Sequence, residues 1–229
     1  MKKTVPVVTI ILALNLGMLC EVRTEPPPLE KVIRRVQEVY SRHCCFRAKF
    51  DQLTVNVAMD LRDQFQGTMY VRKPNQIALE VEQPETQKVV VQGRSYTVYF
   101  PQDGSAARGE VPADLNLEHF FWFFANIGNL ERDFSIQFPA KSVSEDESLI
   151  FLELTDSKNS RSTYRILLGI DRKAYTVSRE IIYDALGNYN RFDLSDVKFL
   201  SALPDSVFHV APGPAENIIA PFAPSRQQQ

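Results

Sequence analysis

Three histidines, two neighbouring cysteines, an acidic cluster and a run of aromatic residues are the places where this chain could do chemistry. His43, His119 and His209 lie far apart, and none stands in metal-ligand spacing. Each reads as an incidental surface or boundary residue. Cys44 and Cys45 are adjacent, and a bond between neighbours would close a small strained ring far from ordinary disulfide geometry. Without a Cys-x-x-Cys spacing they read as two small buried thiols at a helix-to-strand junction, with a redox role as the alternative. Ser144-Glu145-Asp146-Glu147-Ser148 reads as a solvated turn, and nothing singles out a carboxylate pair for hydrolysis. Gly-x-Gly-x-x-Gly, P-loop, His-Glu-x-x-His and Gly-x-Ser-x-Gly patterns are all missing from the sequence. The expectation is a protein that is not an enzyme, with no catalytic residue, no metal ligand and no cofactor. What remains is apolar contact. The run Phe120-Phe121-Trp122-Phe123-Phe124 makes a helix apolar on every face. Such a segment must be buried, lie in a membrane or cover something greasy. It is too short to span a bilayer, which needs ~20 apolar residues.

The elements that would position this run are mostly strands. Residues 29–42 place Leu29, Val32, Ile33, Val36, Val39 and Tyr40 at helical spacing. From Phe46 the pattern shifts to alternation, with Ala48, Phe50 and Gln52 on one face. Strands are expected near 46–57, 64–72, 76–83, 86–92, 95–100, 134–139, 149–156, 163–170, 174–184, 189–199 and 206–210. In the pair 174–184 and 189–199, Tyr175, Val177, Arg179, Ile181 and Tyr183 share one face, and Thr176, Ser178, Glu180 and Asp184 lie mostly on the other. Lys73-Pro74-Asn75, Asp103-Gly104 and Leu186-Gly187-Asn188 carry turn chemistry. About eleven sequential strands with short turns make an up-and-down antiparallel sheet, and one that long curls or closes. The aromatic helix, expected at about 114–127, interrupts the strands midway. The picture is a container with a lid.

The chain is long enough for one domain, with 229 residues, 44% apolar and 24% charged. Lys2-Lys3 followed by the apolar run Val5–Leu14 reads as a secretory signal peptide over residues 1–24. Cleavage is expected near Cys20 or Thr24. Gly17-Met18-Leu19 before Cys20 is a poor lipobox, so a soluble exported protein is expected. Losing Lys2, Lys3, Arg23 and Glu21 moves the formal charge from −2 to −4. Such a surface offers no basic surplus for nucleic acid. A single domain over 25–211 is followed by an irregular tail, 212–229, carrying Pro212, Pro214, Pro221 and Pro224 and ending in three Gln.

An ordered set of motifs resembles a known family. Phe46-x-Ala48-x-Phe50-x-Gln52 follows the amphipathic helix. Then come Gly67-Thr68-Met69-Tyr70-Val71-Arg72-Lys73-Pro74-Asn75, Glu80-x-x-x-Pro84, Val89-Val90-Val91-Gln92-Gly93 and Val98-Tyr99-Phe100-Pro101. Asp184-Ala185-Leu186-Gly187-Asn188 and Pro204-Asp205-Ser206-Val207-Phe208-x-Val210 complete the order. Over about residues 29–215 this is similar to the periplasmic lipoprotein carrier family, LolA.

The resemblance implies an unclosed, strongly curved β-barrel with helices over its mouth. It implies a periplasmic chaperone, a monomer, that holds lipoprotein acyl chains in the hydrophobic space between barrel and lid. Cargo would come from an inner-membrane ABC-type release complex and pass to an outer-membrane acceptor lipoprotein. Residues carried into that space or its lid are Phe50, Tyr70, Lys73, Ile77, Leu79, Phe120, Phe121, Trp122 and Phe124. The family's lid-latching Arg corresponds to Lys73, which offers a point charge rather than a planar fork. Arg72 points to the opposite face of its strand and cannot take its place. As a latch, Lys73 is expected to bond oxygens near residues 112–128. Three other classes stay open: an acceptor of the same fold lipidated at Cys20, a carrier of another amphiphile, and a hydrolase without a recognised motif.

Overall fold

The computed structural model describes residues 27–110, 124, 127–132, 134–140, 147–156, 164–210 and 215–216. The expected leader, Phe120, Phe121, Trp122 and most of the tail lie outside the described residues. Helix α1 spans Leu29–Ser41. Its buried stripe is Val32, Ile33, Val36 and Tyr40 at three- and four-residue steps, while Arg35 and Glu38 pair at 3.3 Å on the solvent side. The carbonyl of Pro28 accepts from Lys31 N and Val32 N, which starts the helix directly after the proline run.

Twelve strands follow among the described residues: β1 (Cys45–Asn56), β2 (Leu61–Arg72), β3 (Gln76–Gln83), β4 (Gln87–Gln92), β5 (Ser95–Phe100) and β6 (Ser105–Glu110), then β7 (Phe134–Gln137), β8 (Leu149–Asp156), β9 (Arg165–Asp171), β10 (Val177–Tyr183), β11 (Tyr189–Leu200) and β12 (Ala215–Glu216). They form one sheet in the order β12-β6-β5-β4-β3-β2-β1-β11-β10-β9-β8-β7. Two meanders are thus joined where β1 meets β11, with Phe50 opposite Leu194 and Gln52 opposite Phe192. Pairing is antiparallel except for the short β12, which lies parallel to Ala106–Ala107. The strands at the ends of the order, β7 and β12, do not pair with each other, so the sheet is unclosed.

The sheet has an inner face, which α1 covers, and an outer face. Phe46, Ala48 and Phe50 of β1, Met69 and Val71 of β2, and Ile77, Leu79 and Val81 of β3 join Val32, Val36 and Tyr40 in the large core. Their period of two is the alternation legible in the sequence. The outer face carries a smaller cluster, in which Cys45, Ala78 and Val90 pack under Leu203 and Phe208 of the C-terminal segment.

Three expectations are corrected. Strand β6 was not anticipated, because Ser-Ala-Ala-Arg-Gly-Glu has weak strand propensity. It forms by pairing along the whole of β5, from Ser95 opposite Glu110 to Phe100 opposite Ser105. Residues 206–210 are not a strand, since Asp205–Phe208 winds into one turn of 3-10 helix after Pro204. Residues 174–176 belong to a turn in which Asp171 Oδ1 accepts from Lys173 N and Ala174 N, and Tyr175 takes a positive φ of 56°. The register of β10 against β9 then slips between Val177 and Arg179. This bulge puts Val177 and Glu180 on the same, inner side, and the simple alternation expected for this strand fails there.

Candidate functional site

The site is built from the inner face and what lies on it. Phe50, Ile77 and Leu79 are 4%, 2% and 0% exposed, all within the core beneath α1. Phe124, the one described residue of the aromatic run, is helical and fully buried. Its ring lies 6.0 Å from that of Phe46, at 53°. Beyond it a 3-10 helix, Ile127–Arg132, packs beside α1 and buries Ile127 and Leu130. Gln37 of α1 stitches the two: its Oε1 accepts from Leu130 N at 3.1 Å, and its Nε2 donates to Glu131 Oε2 at 3.1 Å. The cover over the sheet is therefore α1 and this short helix side by side.

Lys73 stands in the turn after β2. Its Nζ donates to the carbonyl oxygen of Tyr40 at 2.7 Å, in the last turn of α1. This described bond runs to α1, while residues 112–128, where a partner was expected, lie almost wholly outside the described residues. A cation is well placed at a helix C-terminus, where backbone carbonyls lack intrahelical donors. Partial burial lowers the Lys73 pKa. The hydroxyl of the same Tyr40 accepts from Val177 N of β10 at 3.0 Å. One residue thus fastens the helix end to both halves of the sheet. Burial drives the Tyr40 hydroxyl far above its ordinary range, so it stays protonated.

Tyr70 does not join this set. It faces outward, donates to Glu80 Oε2 at 3.3 Å and packs beneath the C-terminal segment. Arg72 is on that face too. Its Nη1 donates to Asp205 Oδ1 at 2.7 Å and to Leu203 O at 3.0 Å, and its guanidinium lies 4.5 Å above the Phe208 ring. It holds the C-terminal segment down as a strap over β3 and β4. The Asp184–Asn188 motif builds the tight connection between β10 and β11. Asp184 Oδ1 accepts from Leu186 N and Asn188 N, both at 2.9 Å, and Asn188 Oδ1 accepts from Val57 N at 2.9 Å in the β1–β2 turn.

Of the residues weighed for chemistry, His119 and Ser144, Glu145 and Asp146 lie outside the described residues, and the others have these surroundings. His43 stacks on Phe199 at 4.6 Å, and His209 Nδ1 lies 2.8 Å from Asp205 O. Among the described residues no group of His, Cys, Asp or Glu could hold a metal. Cys44 is exposed and donates to Ser201 O at 3.1 Å, while burial pushes the Cys45 thiol up to about 11. The raised Cys45 pKa is the opposite of the lowered value of a reactive thiolate.

Two features escaped the sequence. Tyr40 read as one more stripe residue, and no local signal shows that both its carbonyl and its hydroxyl would be used. Glu180 read as lying on the face opposite Val177, yet it is fully buried on the same inner face as Val177.

Against known proteins, residues 43–211 match the model of the family described as outer membrane lipoprotein carrier protein LolA. The outer-membrane lipoprotein carrier protein of Pseudomonas putida strain W619 is 21% identical over 179 residues, covering 78% of this chain and 82% of that one. Among solved structures, a LolA superfamily protein from Nitrosomonas europaea aligns with 79% of this chain and 96% of its own at 18% identity and a TM-score of 0.45. A conserved protein of Thermus thermophilus aligns with 82% of this chain and 98% of its own at 8% identity and a TM-score of 0.50, a likeness of fold alone.

Proposed function

This chain belongs to the LolA family of outer-membrane lipoprotein carriers, a family of carriers rather than catalysts, and from that premise we propose that it is a periplasmic carrier of lipoprotein acyl chains. The observation that carries the reading is the apolar inner face, continuous from Val98 on β5 to Leu152 on β8 and covered by a helix that is fastened at its end. An acyl chain exchanged between water and such a face gains ~0.8 kcal/mol per methylene. A multiply acylated protein cannot cross an aqueous compartment without that gain.

The cover must lift for chains to enter. Helix α1 keeps its buried stripe against the sheet, and its far end is held by the Lys73–Tyr40 and Val177–Tyr40 bonds. Breaking these at the C-terminal end lets α1 swing while the neighbouring 3-10 helix moves with it through Gln37. Acyl chains then replace α1 and Phe124 as the apolar partner of Phe50, Ile77 and Leu79. Phe120, Phe121 and Trp122 belong to the same cover in this reading. Cargo is received from an inner-membrane release complex and given to an outer-membrane acceptor.

Native mass spectrometry of the protein purified from its own cell envelope tests the proposal. A retained triacylated protein or its lipid is the expected result. A bound species without acyl chains, recovered consistently, refutes it.

A further inference from the structure

The inner face is apolar along nearly every row, and among the described residues three buried polar side chains interrupt it, with the half-buried Thr54 beside them. Glu180 and Gln52 are 0% exposed and Asn190 is 6% exposed. Gln52 stands opposite Phe192, and Phe192 stands opposite Glu180. The two polar residues therefore flank one phenylalanine, about 10 Å apart across two strand spacings. Asn190 lies on the same face, two residues from Phe192. Gln52 Nε2 donates to Asn190 Oδ1 at 3.1 Å and to Thr54 Oγ1 at 3.3 Å. Its Oε1 has no hydrogen-bond partner among the described residues, and neither oxygen of Glu180 has one. Next to Glu180, Leu168 and Ile182 continue the apolar surface.

Buried polar atoms nearly always have a partner, and a cluster of three acceptors without one on a ligand-bearing face calls for a role. Resting on the carrier reading, we infer that Glu180 and Gln52 form a polar subsite that takes the hydrogen-bond donor at the head of a bound acyl chain: an amide N–H, a hydroxyl or an ammonium. The acyl chain lies along the apolar rows on either side, and the subsite fixes how deep it sits. Burial raises the Glu180 carboxyl well above the usual carboxylate range, so on a covered face it is uncharged. In that form it accepts from an amide or hydroxyl, and it ionises against an ammonium. A carboxylate head brings no donor for Gln52 Oε1, and the one bond it could accept, from the protonated Glu180, would put its charge on a buried apolar face.

Three probes of equal chain length separate these heads: tetradecanamide, tetradecylamine and tetradecanoate. Each is titrated against the unaltered protein, Glu180→Leu and Gln52→Leu by displacement of a hydrophobic fluorescent dye, with thermal unfolding run beside it. The amide or the amine should bind the unaltered protein about tenfold tighter than tetradecanoate, and Glu180→Leu should erase that preference. Gln52→Leu should weaken the same probes and serves if the first variant does not fold. Retained preference for the amide or amine in every folded variant overturns the subsite while leaving the carrier reading standing. Equal binding of all three probes by the unaltered protein does the same. Failure of all three to bind the unaltered protein overturns the carrier reading, and the subsite with it.

Discussion

Lys73 and Tyr40 are 33 positions apart in sequence, and a 2.7 Å bond from the Lys73 ammonium to the Tyr40 carbonyl ties the turn after β2 to the end of α1. A point charge suffices there, because the acceptor is a single backbone oxygen at a helix C-terminus rather than a carboxylate that would match a fork. In the proposed opening of the cover, this bond would have to break.

Lys73→Leu should therefore favour the opened, loaded form. A charge-assisted bond of roughly 1.5–3 kcal/mol corresponds to about a ten- to hundredfold shift towards retained cargo. Lys73→Arg, which keeps a cation at that position, should transfer cargo normally. Transfer from loaded protein to acceptor membranes measures both, and normal transfer by the Leu variant would mean that apolar packing alone closes the cover.

Gly67 lies where a side chain has no room. A Cβ at that position would come 2.0 Å from Glu80 O on β3. Gly67→Ala should lower stability by ~1–3 kcal/mol through overpacking, or shift β3. A urea midpoint unchanged from that of the unaltered protein would contradict this.

Glu180 gives stability a pH dependence whose sign is fixed by its raised pKa. The folded carboxyl keeps its proton above the usual value of 4.5, whereas the unfolded one loses it. The folded state then binds more protons, so the group's contribution to stability is present below that value and is lost as pH rises towards the folded pKa. Glu180→Gln should gain on the unaltered protein in denaturant unfolding as the pH is raised from 4.5 towards neutrality. Parallel stability curves for the two proteins over that range would refute the burial argument.

Arg72 acts on the other side of the sheet. Arg72→Ala removes the bonds to Asp205 and Leu203 and the contact with Phe208, so the strap at 203–208 should become sensitive to limited proteolysis. Arg72→Lys should rescue this poorly, since one ammonium cannot reach both oxygens and cover the ring. Cargo binding should persist in both variants. Loss of binding without increased cleavage would place Arg72 in the site instead.

The faces of β1, β2 and β3 were legible because each strand alternates cleanly, as in Phe46, Ala48 and Phe50, and the stripe of α1 was legible for the same periodic reason. What escaped depended on distant pairing. Ala106 and Ala107 become strand only because β5 offers its edge. Glu180 turns inward only because one residue is squeezed out at the β9–β10 bulge, where Gly169 faces Arg179 from the neighbouring strand but β10 itself carries no Gly or Pro. Tyr70 shares a strand with Met69 and Val71, and the alternation that puts Arg72 on the outer face puts Tyr70 there too. The partner of Lys73 lay on a helix that local sequence could not bring near.

In a working carrier of this design, acyl chains occupy the inner face beneath the cover. Photocrosslinking reads that location without an intermediate assumption. The protein is loaded with a triacylated lipoprotein bearing a photoreactive group on one acyl chain and irradiated, and the adducts are mapped by peptide mass spectrometry. Adducts are expected on inner-face peptides around Phe50, Ile77–Leu79 and Phe124, and none on the strap or at Tyr70. Adducts confined to Tyr70, Val90 and residues 203–210 would put the lipid on the outer face and contradict the carrier reading.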